Sequence, residues 1–510
     1  MINYQTINSD LLEGSCGFSY QEPHKVFTRL YGTYRYKFLF ESKDISSIYG
    51  RLSLIGIDPV LRVTGKKDTF CIKVLNERGQ LYLKQFNDKD FKICDRFKIS
   101  EKSVSGTVYN HTALFEETER SKRKNIAQIM RIILKKFETK QKSFLGLYGA
   151  LSYDFIRLFE DIGQSTPEND VDDFTLFLYD TFIFFDHLKQ TNKIIAYRKN
   201  TQEAEKDINL IQAKMNREGT SNISYRISDS CFELNQKQYQ NLVKLAKKYA
   251  AEGELFEVVF SNVLKACFNG DPFALYLKYR DSNPSPYLFY FDFGKEQLVG
   301  ASPEMMVRCE NKIVSLRPIS GTVQRGKDPI EDHENMLSLL SDPKERAELD
   351  MLIDLGRNDL SRVCEPEIQI TDYRFVEKYS RVMHTVAHLS GKLRKSYTAL
   401  DALIACLNAG TLTGAPKVAA MKTIEKHEKE RRGYYGGTIG YFTFSGDMDT
   451  GIIIRTAHIR GRQLRFQVGA TLLYDSVPEK EYTETLNKAS AFLNCSSNYV
   501  FQKFSNKFNI

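Results

Sequence analysis

The chain has 510 residues, of which 42% are hydrophobic and 27% are charged, and its formal net charge is +8. This length and composition are those of an ordinary globular protein with two or more domains and a large buried core. The basic residues are mixed with acidic ones, and the longest basic stretch, at 120–124, is too short to indicate a nucleic-acid-binding patch. No run of eighteen apolar residues is present, which argues against a transmembrane helix.

The cysteines and the N-terminal residues indicate the cellular compartment. There are nine cysteines, irregularly spaced and without a C-x-x-C pair, which predicts free thiols in a reducing environment. The N-terminal residues lack the basic and then apolar layout of a signal peptide. We therefore expect a cytoplasmic protein.

The first half of the sequence is predicted to be rich in strands. Alternating or apolar runs between turn residues predict strands at 34–41, 51–57, 60–64, 69–75, 80–85, 145–151, 174–185 and 194–198. Apolar residues with helical spacing predict one helix at 121–138. The polar stretch 200–235, with its turn-prone EGTSN, is the expected domain boundary.

The second half is predicted to begin with a helix at 237–252. Its apolar stripe consists of Tyr239, Leu242, Val243, Ala246 and Tyr249. Gly253 is placed to end this helix, and a strand is predicted at 255–260. Strands and helices then alternate irregularly, without an internal repeat. This pattern predicts an α+β fold with large, mostly antiparallel sheets in a two-sheet, sandwich-like core and helices on the outer faces.

Two pairs of glutamates, each spaced i, i+3 on a predicted helix, are candidate metal ligands. They are Glu345 with Glu348, and Glu481 with Glu484. Residues three apart lie on one helical face, so each pair can direct two carboxylates at one point. Oxygen donors without His or Cys suit a hard cation such as Mg²⁺. Lys488 lies one turn beyond Glu484 and could meet an anionic substrate; the alternative for any single pair is a solvated helix face.

Several motifs in the second half are too rich in Gly, Pro and polar residues to belong to a core. In chain order they are GASPE (300–304), RPISGT (317–322), RVMHTVAH (381–388), AGTLTGAPK (409–417), YYGGTIGYF (434–442), IIIRT (452–456) and VGAT (468–471). Together with the glutamate helices, this series resembles the chorismate-binding enzymes, and most closely the family of anthranilate synthase component I. FLFES and RLSLIGIDPVLRVTG in the first half are similar to that family's regulatory domain.

The resemblance implies the chorismate-binding enzyme fold, with an N-terminal regulatory domain at 1–210 and a catalytic domain at 230–510. It assigns Mg²⁺ to the four glutamates, the role of general acid to Glu304, and aromatisation of the ring to His384. A general acid needs a raised pKa, and Mg²⁺ acts as a Lewis acid on the ring carboxylate. The residues implied to bind substrate are Gly321, Thr322, Thr413, Tyr435, Arg455, Gly469, Ala470, Thr471 and Lys488.

Two positions select the reaction within this family. Relatives that add water carry a lysine where this chain has Glu257, and relatives that form a covalent adduct often carry a lysine where it has Ser320. Ammonia therefore remains as the nucleophile, and the expected reaction converts chorismate and ammonia to anthranilate and pyruvate. No glutaminase motif is present, so we expect a separate glutamine amidotransferase subunit, in a heterotetramer by resemblance.

Feedback inhibition by L-tryptophan is the control implied by the resemblance. The matching inhibitor-binding residues are Glu41, Ser42, Asn283, Pro284, Pro286, Tyr287 and Leu288. Two alternatives to an anthranilate synthase remain open at this point. One is a 2-amino-2-desoxyisochorismate synthase, which stops before pyruvate is eliminated, and the other is an inactive regulatory or scaffold subunit.

Overall fold

The computed structural model of the chain describes residues 2–43, 51–110, 117–216, 223–379 and 382–496. Arg381, the first residue of RVMHTVAH, lies outside the described residues. The strands are β1 Ile2–Thr6, β2 Leu12–Phe18, β3 Phe38–Glu41, β4 Leu52–Gly56, β5 Leu61–Lys66, β6 Thr69–Val74, β7 Arg96–Ile99, β8 Ser103–Thr107, β9 Gly146–Leu151, β10 Phe174–Tyr179, β11 Thr181–Asp186, β12 Thr191–Arg198, β13 Tyr225–Phe232, β14 Glu257–Gly270, β15 Tyr287–Asp292, β16 Glu296–Ser302, β17 Met305–Glu310, β18 Ile313–Leu316, β19 Ile319–Gln324, β20 Gln369–Lys378, β21 Val382–Lys392, β22 Gly414–Ala415, β23 Thr438–Thr443, β24 Met448–Ile452, β25 Thr456–Arg460 and β26 Gln463–Leu472.

The helices are α1 Pro23–Leu30, α2 Glu77–Leu83, α3 Ala127–Lys136, α4 Thr201–Met215, α5 Gln236–Ala251, α6 Pro272–Ser282, α7 Pro329–Ser341, α8 Pro343–Ser361, α9 Ala399–Cys406, α10 Gly410–Thr413, α11 Lys417–His427 and α12 Pro478–Leu493. Short 3₁₀ segments lie at Glu117–Lys122 and Tyr153–Leu158. In the described part of the chain, no helix is both long and apolar enough to cross a membrane. All nine cysteines are free, as predicted.

The strands form two large antiparallel sheets, which confirms the predicted α+β fold. The first sheet has the order β1-β2-β12-β11-β4-β3-β15-β16-β25-β26-β14-β13, with β22 beside β14. The second has the order β19-β21-β18-β17-β24-β23-β9-β10-β5-β6-β8-β7, with β20 beside β21. Pairing of β3 with β15 and of β9 with β23 joins the two halves of the sequence. The division at 210–230 stays a prediction, since each sheet contains strands from both sides of it.

Aromatic residues fill the space between the two sheets. Phe38 of the first sheet stacks on Tyr148 of the second, with ring centroids 5.1 Å apart, and on Phe291 at 5.5 Å. All three are fully buried. Because aromatic side chains bury large areas and prefer such offset arrangements, this layer is a major source of stability. It also fixes β3 against β15, on which the inhibitor motifs lie.

Three of the predicted elements differ in the structure. The strand predicted at 80–85 is wrong: residues 80–83 belong to α2, where the side chain of Asn76 accepts from the N–H of Gly79 and caps the helix. The helix predicted at 121–138 is shortened to α3 and preceded by a 3₁₀ segment. The strand predicted at 174–185 is two strands, β10 and β11, separated by the buried Asp180, which pairs with Arg78.

The polar stretch 200–235 is structured at both of its ends. It contains α4, capped by Asn200, and the edge strand β13. Helix α5 follows as predicted, and Gly253 just beyond it has the left-handed φ of +76° that a helix C-terminus favours. Tyr239 and Val243 of its stripe are fully buried against β14 and β26. This helix thereby supports the strands that carry the candidate site.

Candidate active site

Glu304 lies between β16 and β17 with its side chain buried. Its Oε1 accepts a hydrogen bond of 2.8 Å from the hydroxyl of Thr411. Burial raises the pKa of Glu304 to about 7, and the Thr411 hydrogen bond and the charge of Lys488 only partly oppose this shift. A carboxyl group with a pKa near 7 still carries a proton in a large fraction of molecules near neutral pH and can donate it.

Thr411 is a site residue that the sequence reasoning missed. The predicted residue, Thr413, is fully buried, and its hydroxyl donates to the carbonyl of Ala409 at 2.9 Å. Both threonines belong to the same GTLTG motif, and α10 turns only Thr411 towards Glu304. The conformation of this single turn therefore decides which of the two hydroxyl groups in the motif reaches Glu304.

The two glutamate pairs lie on helices α8 and α12, as predicted. The side chain of Asp342 caps α8 by accepting from the N–H groups of Lys344 and Glu345. Burial and then the negative charge of Glu345 raise the pKa of Glu348 to about 7, and Glu484 on the other helix adds to this shift. Two more of these glutamates also have raised pKa values, caused first by burial: Glu345 and Glu481. The two helices therefore direct their carboxylates towards each other.

These four carboxylates do not form a preformed cage. Among the described residues, no group of three or more His, Cys, Asp or Glu side chains is placed to hold a metal ion. The four glutamates nevertheless suit a hard divalent cation, because they offer only oxygen ligands and because a cation offsets the repulsion between their carboxylates. Lys488 supplies part of that charge, with its Nζ 2.6 Å from Oε1 of Glu484.

Lys488 also connects the glutamates to the residues that the resemblance assigns to the enolpyruvyl carboxylate, here called the substrate cradle: Tyr435, Arg455 and the β26 residues Gly469, Ala470 and Thr471. Its Nζ donates to the carbonyl of Gly469 at 2.9 Å. A Cβ atom at Gly469 would lie 2.8 Å from the hydroxyl of Tyr435. Glycine at this position therefore keeps open the space between strand and tyrosine, where backbone can approach a ligand.

The hydroxyl of Tyr239 bridges the paired strands β14 and β26 beside the cradle. Its hydroxyl donates to the carbonyl of Phe260 at 2.9 Å and accepts from the N–H of Ala470 at 3.2 Å. The N–H of Ala470, which the sequence assigned to substrate, is thus already bonded to a side chain. Gly469 and Thr471 lie on either side of it on the same strand. The hydroxyl of Tyr239 is a supporting group that could not be assigned from sequence.

Arg455 presents a cation with no protein partner in the part of the chain that the structure describes. Its backbone is left-handed, with φ +50°, which is uncommon for a residue with a side chain. Its carbonyl accepts from the Tyr279 hydroxyl at 3.2 Å and from the Ala301 N–H at 3.1 Å. The half-buried guanidinium is left to bind a carboxylate, which it can do in a bidentate manner.

His384 lies on β21, opposite the motif RPISGT. Its Nδ1 donates to the carbonyl of Gly321 at 2.8 Å and lies 3.0 Å from the hydroxyl of Thr322. Burial, with the charge of Arg455 as a further cause, lowers the pKa of His384. The imidazole is therefore neutral, and because Nδ1 carries the proton, Nε2 is its basic atom. His388 lies four residues further along the same strand and is not part of the hydrogen bonds that join His384 to Gly321 and Thr322.

Glu257 and Ser320, which selected the reaction from sequence, are both buried. Neither carboxylate oxygen of Glu257 has a hydrogen-bond partner among the described residues, and the same holds for the hydroxyl of Ser320. Burial and then the charge of Glu348 raise the pKa of Glu257 to about 8. Neither position therefore carries a lysine or any other amine side chain.

The predicted inhibitor residues come together where β3 pairs with β15, with Glu41 opposite Leu288. Glu41 is buried and paired with Arg280, at 3.0 Å, and with the hydroxyl of Tyr276. Burial opposes the shift, but the imidazole of His24 and the charge of Arg280 lower the pKa of Glu41. Because Arg280 already balances the negative charge of Glu41, this carboxylate attracts the amino group of an inhibitor less strongly than the sequence motif predicts.

The other inhibitor residues face different neighbours. The hydroxyl of Ser42 is buried and, within the described residues, has no hydrogen-bond partner. The amide of Asn283 donates to the Tyr279 hydroxyl at 3.3 Å. Tyr287 is directed between the sheets, where its hydroxyl donates to Asp449 at 2.9 Å. Pro284 and Pro286 flank the buried Ser285 in the turn before β15.

Comparison with known proteins assigns the chain to a family. The model of the chorismate binding enzyme family matches residues 85–494. The chain belongs to the chorismate-binding enzymes. It is 35% identical over 492 residues to anthranilate synthase component 1 from Aquifex aeolicus (strain VF5), and the alignment covers 93% of this chain and 92% of that protein. It is 37% identical over 480 residues to the protein of the same name from Acetivibrio thermocellus, with 89% of each chain covered.

Two solved structures of chorismate-binding enzymes are similar to this chain. Anthranilate synthase component I from Streptococcus pneumoniae TIGR4 has a TM-score of 0.67 at 30% identity, covering 88% of this chain and 93% of that one. The menaquinone-specific isochorismate synthase from Escherichia coli has a TM-score of 0.67 at 16% identity, covering 96% and 95%. The second likeness shows the common fold alone.

Proposed function

We propose that this protein is the large subunit of an anthranilate synthase, which converts chorismate and ammonia to anthranilate and pyruvate for tryptophan biosynthesis. The observation that carries the proposal is the buried Glu304, which accepts a hydrogen bond from Thr411 and whose pKa burial raises to about 7. The similarity to anthranilate synthase component 1 extends over most of the chain. An inactive scaffold would not need a buried acid of raised pKa, or an arginine that has no protein partner among the described residues.

In the proposed reaction, Glu304 gives its proton to the ring hydroxyl as that group leaves. Arg455 binds the enolpyruvyl carboxylate, and Gly469 with Tyr435 leaves room for it on β26. The glutamates of α8 and α12 would hold Mg²⁺, which supplies Lewis-acid polarisation of the ring carboxylate. Lys488 lies between those helices and the cradle and orients the same end of the substrate.

His384 takes the ring proton when pyruvate is eliminated. Its neutral state and its Nδ1–H bond to Gly321 leave Nε2 as the proton acceptor. The nucleophile is ammonia, because neither Glu257 nor Ser320 is an amine that could activate water or form an adduct. We propose that a separate glutamine amidotransferase subunit supplies the ammonia, in a heterotetramer in the cytoplasm.

L-Tryptophan is the proposed feedback inhibitor, bound at the junction of β3 and β15. Ser42, whose buried hydroxyl lacks a partner among the described residues, offers a hydrogen bond to it. Strand β15 pairs directly with β16, with Tyr287 opposite Ser302, two residues before Glu304. A ligand at this junction can therefore act on the acid through one strand pair.

The product distinguishes this function from its closest alternative. Purified protein is mixed with chorismate, Mg²⁺ and ammonium, and the products are identified by mass spectrometry. Anthranilate with an equal amount of pyruvate is the expected result. An amino intermediate without pyruvate would instead identify a 2-amino-2-desoxyisochorismate synthase, and no chorismate consumption would refute both.

A further inference from the structure

A second cleft reaches Glu304 independently of the substrate cradle. It has a volume of about 450 Å³, counting the part that is open to solvent. Glu304 and Thr411 line it, together with the second half of α8 and the start of α11. Its lining includes neither Arg455 nor His384, and none of the four glutamates proposed to bind metal.

The cleft contains an ion pair that the proposed reaction does not use. Nζ of Lys417 donates to Oδ2 of Asp359 at 2.6 Å and to the carbonyl of Cys406 at 2.8 Å. The other oxygen of Asp359, Oδ1, is buried and has no hydrogen-bond partner among the described residues. The remaining charged side chain of the lining, Arg317, is paired with Glu377.

An unpartnered oxygen on a buried carboxylate is costly unless something donates a hydrogen bond to it. The cleft beside Asp359 carries the charged groups of Asp359 and Lys417, and it offers about 60 Å³ of space for the centres of water molecules. One water needs about 10–15 Å³ of such space, so several can be held. Water is therefore the donor that the geometry favours. A chain of water from Asp359 would end at the carboxyl group of Glu304.

We propose that this cleft is a water-filled path that returns a proton to Glu304 in every catalytic cycle, and that Asp359 and Lys417 are positioning residues that hold the water. The inference rests on the proposed function, in which Glu304 is the acid. When the ring carbon–oxygen bond breaks, its electron pair stays on oxygen, the proton of Glu304 joins it, and water leaves. Glu304 then takes a proton from cleft water, while the proton lost by the added ammonia passes to solvent, so the cycle is balanced.

The test compares Asp359→Asn with Asp354→Asn, an exposed aspartate on the same helix that serves as the matched control. Asparagine keeps the shape of the side chain but removes its charge. We expect kcat of Asp359→Asn to fall about tenfold or more, with KM for chorismate unchanged, since proton transfer rather than binding is impaired. Imidazole at constant pH and constant ammonium should restore kcat in a saturable way, and Asp354→Asn should behave as wild type.

Lys417→Gln is a second, independent variant with the same expected loss and rescue. Wild-type kcat in Asp359→Asn would overturn the proposal. A loss without imidazole rescue and with a lower melting temperature would make the pair purely structural, and a raised KM for ammonium at unchanged kcat would make the cleft an entrance for ammonia. Absence of turnover in the wild-type enzyme would refute the proposed function instead, since each effect here is a ratio to wild type.

Discussion

Glu304 shows how a single hydrogen bond can adjust an acid whose burial already favours the protonated form. The Thr411 hydroxyl donates to its carboxylate and limits the rise in pKa that burial causes, which leaves the pKa of Glu304 at about 7. A raised pKa keeps the acid protonated below that value, and the proton is lost as pH rises through it. Activity that depends on the protonated form is therefore present below about pH 7 and declines above it.

Replacing Thr411 by valine is expected to move this decline to higher pH. Valine has the same shape but cannot donate, so the pKa of Glu304 should rise further. The measurement is kcat/KM for chorismate against pH, with the concentration of unprotonated NH₃ held constant. An alkaline limb that stays in place, or moves down, would show that Glu304 is not the titrating acid.

Replacing Glu304 by glutamine tests the acid itself. Glutamine can still accept from Thr411 but has no proton to give, so kcat should fall about 10²–10⁴-fold. Chorismate binding, measured by isothermal calorimetry, should change little because Arg455 is untouched. A variant with wild-type turnover would remove Glu304 from the chemistry.

His384 acts at a different stage, and its replacement should separate the two halves of the reaction. In His384→Met no base is available for the ring proton, so the amino intermediate should accumulate and pyruvate should not appear. Mass spectrometry of a single-turnover mixture detects both species. His388→Met, on the same strand, is the control and should yield anthranilate normally.

At the scale of elements, helices α8 and α12 bring like charges together. Carboxylates with raised pKa values favour the folded state when protonated, so their contribution to stability is lost as pH rises from about 4.5, the unfolded value, through about 7. The metal-free protein should therefore melt at a lower temperature at pH 8 than at pH 6. Mg²⁺ binding opposes this loss by mass action.

Glu348→Gln removes one of these charges and offers a direct test. At pH 8 without Mg²⁺ the variant should melt at a higher temperature than wild type, because repulsion is reduced. Mg²⁺ should raise the melting temperature of wild type but not of the variant, as followed by calorimetry. Equal Mg²⁺ stabilisation of both proteins would place the metal elsewhere.

A second feature at this scale links the inhibitor residues to the substrate cradle. The Asn283 amide bonds the Tyr279 hydroxyl, which bonds the carbonyl of Arg455. Tyr279→Phe should therefore weaken inhibition by tryptophan about 5-fold or more while leaving the uninhibited rate nearly unchanged. Tyr290→Phe, whose hydroxyl bonds Tyr31 instead, is the control. Unaltered inhibition in Tyr279→Phe would exclude this link.

At the scale of the whole molecule, sequence patterns predicted the class of fold and the helices α5, α8 and α12, because their periodicity reflects one buried face. They failed at 80–85, where alternating residues belong to a short helix that Asn76 caps. They also could not predict that the Tyr239 hydroxyl lies between β14 and β26, since such a contact depends on tertiary packing. The motifs predicted which segments to consider for the site, but the position of a single side chain such as Thr411 depends on the conformation of the backbone, which the motifs do not give.

The pairing of β9 with β23 has a consequence for synthesis of the chain. Strand β9 ends at Leu151, but its partner begins only at Thr438. At about 5–20 residues per second, roughly 290 residues and on the order of 15–60 s separate the emergence of the two strands from the ribosome. During that interval the edge of β9 that will meet β23 has no partner, and its residues are apolar, so it is a site at which the nascent chain can pair with another chain until its C-terminal part arrives.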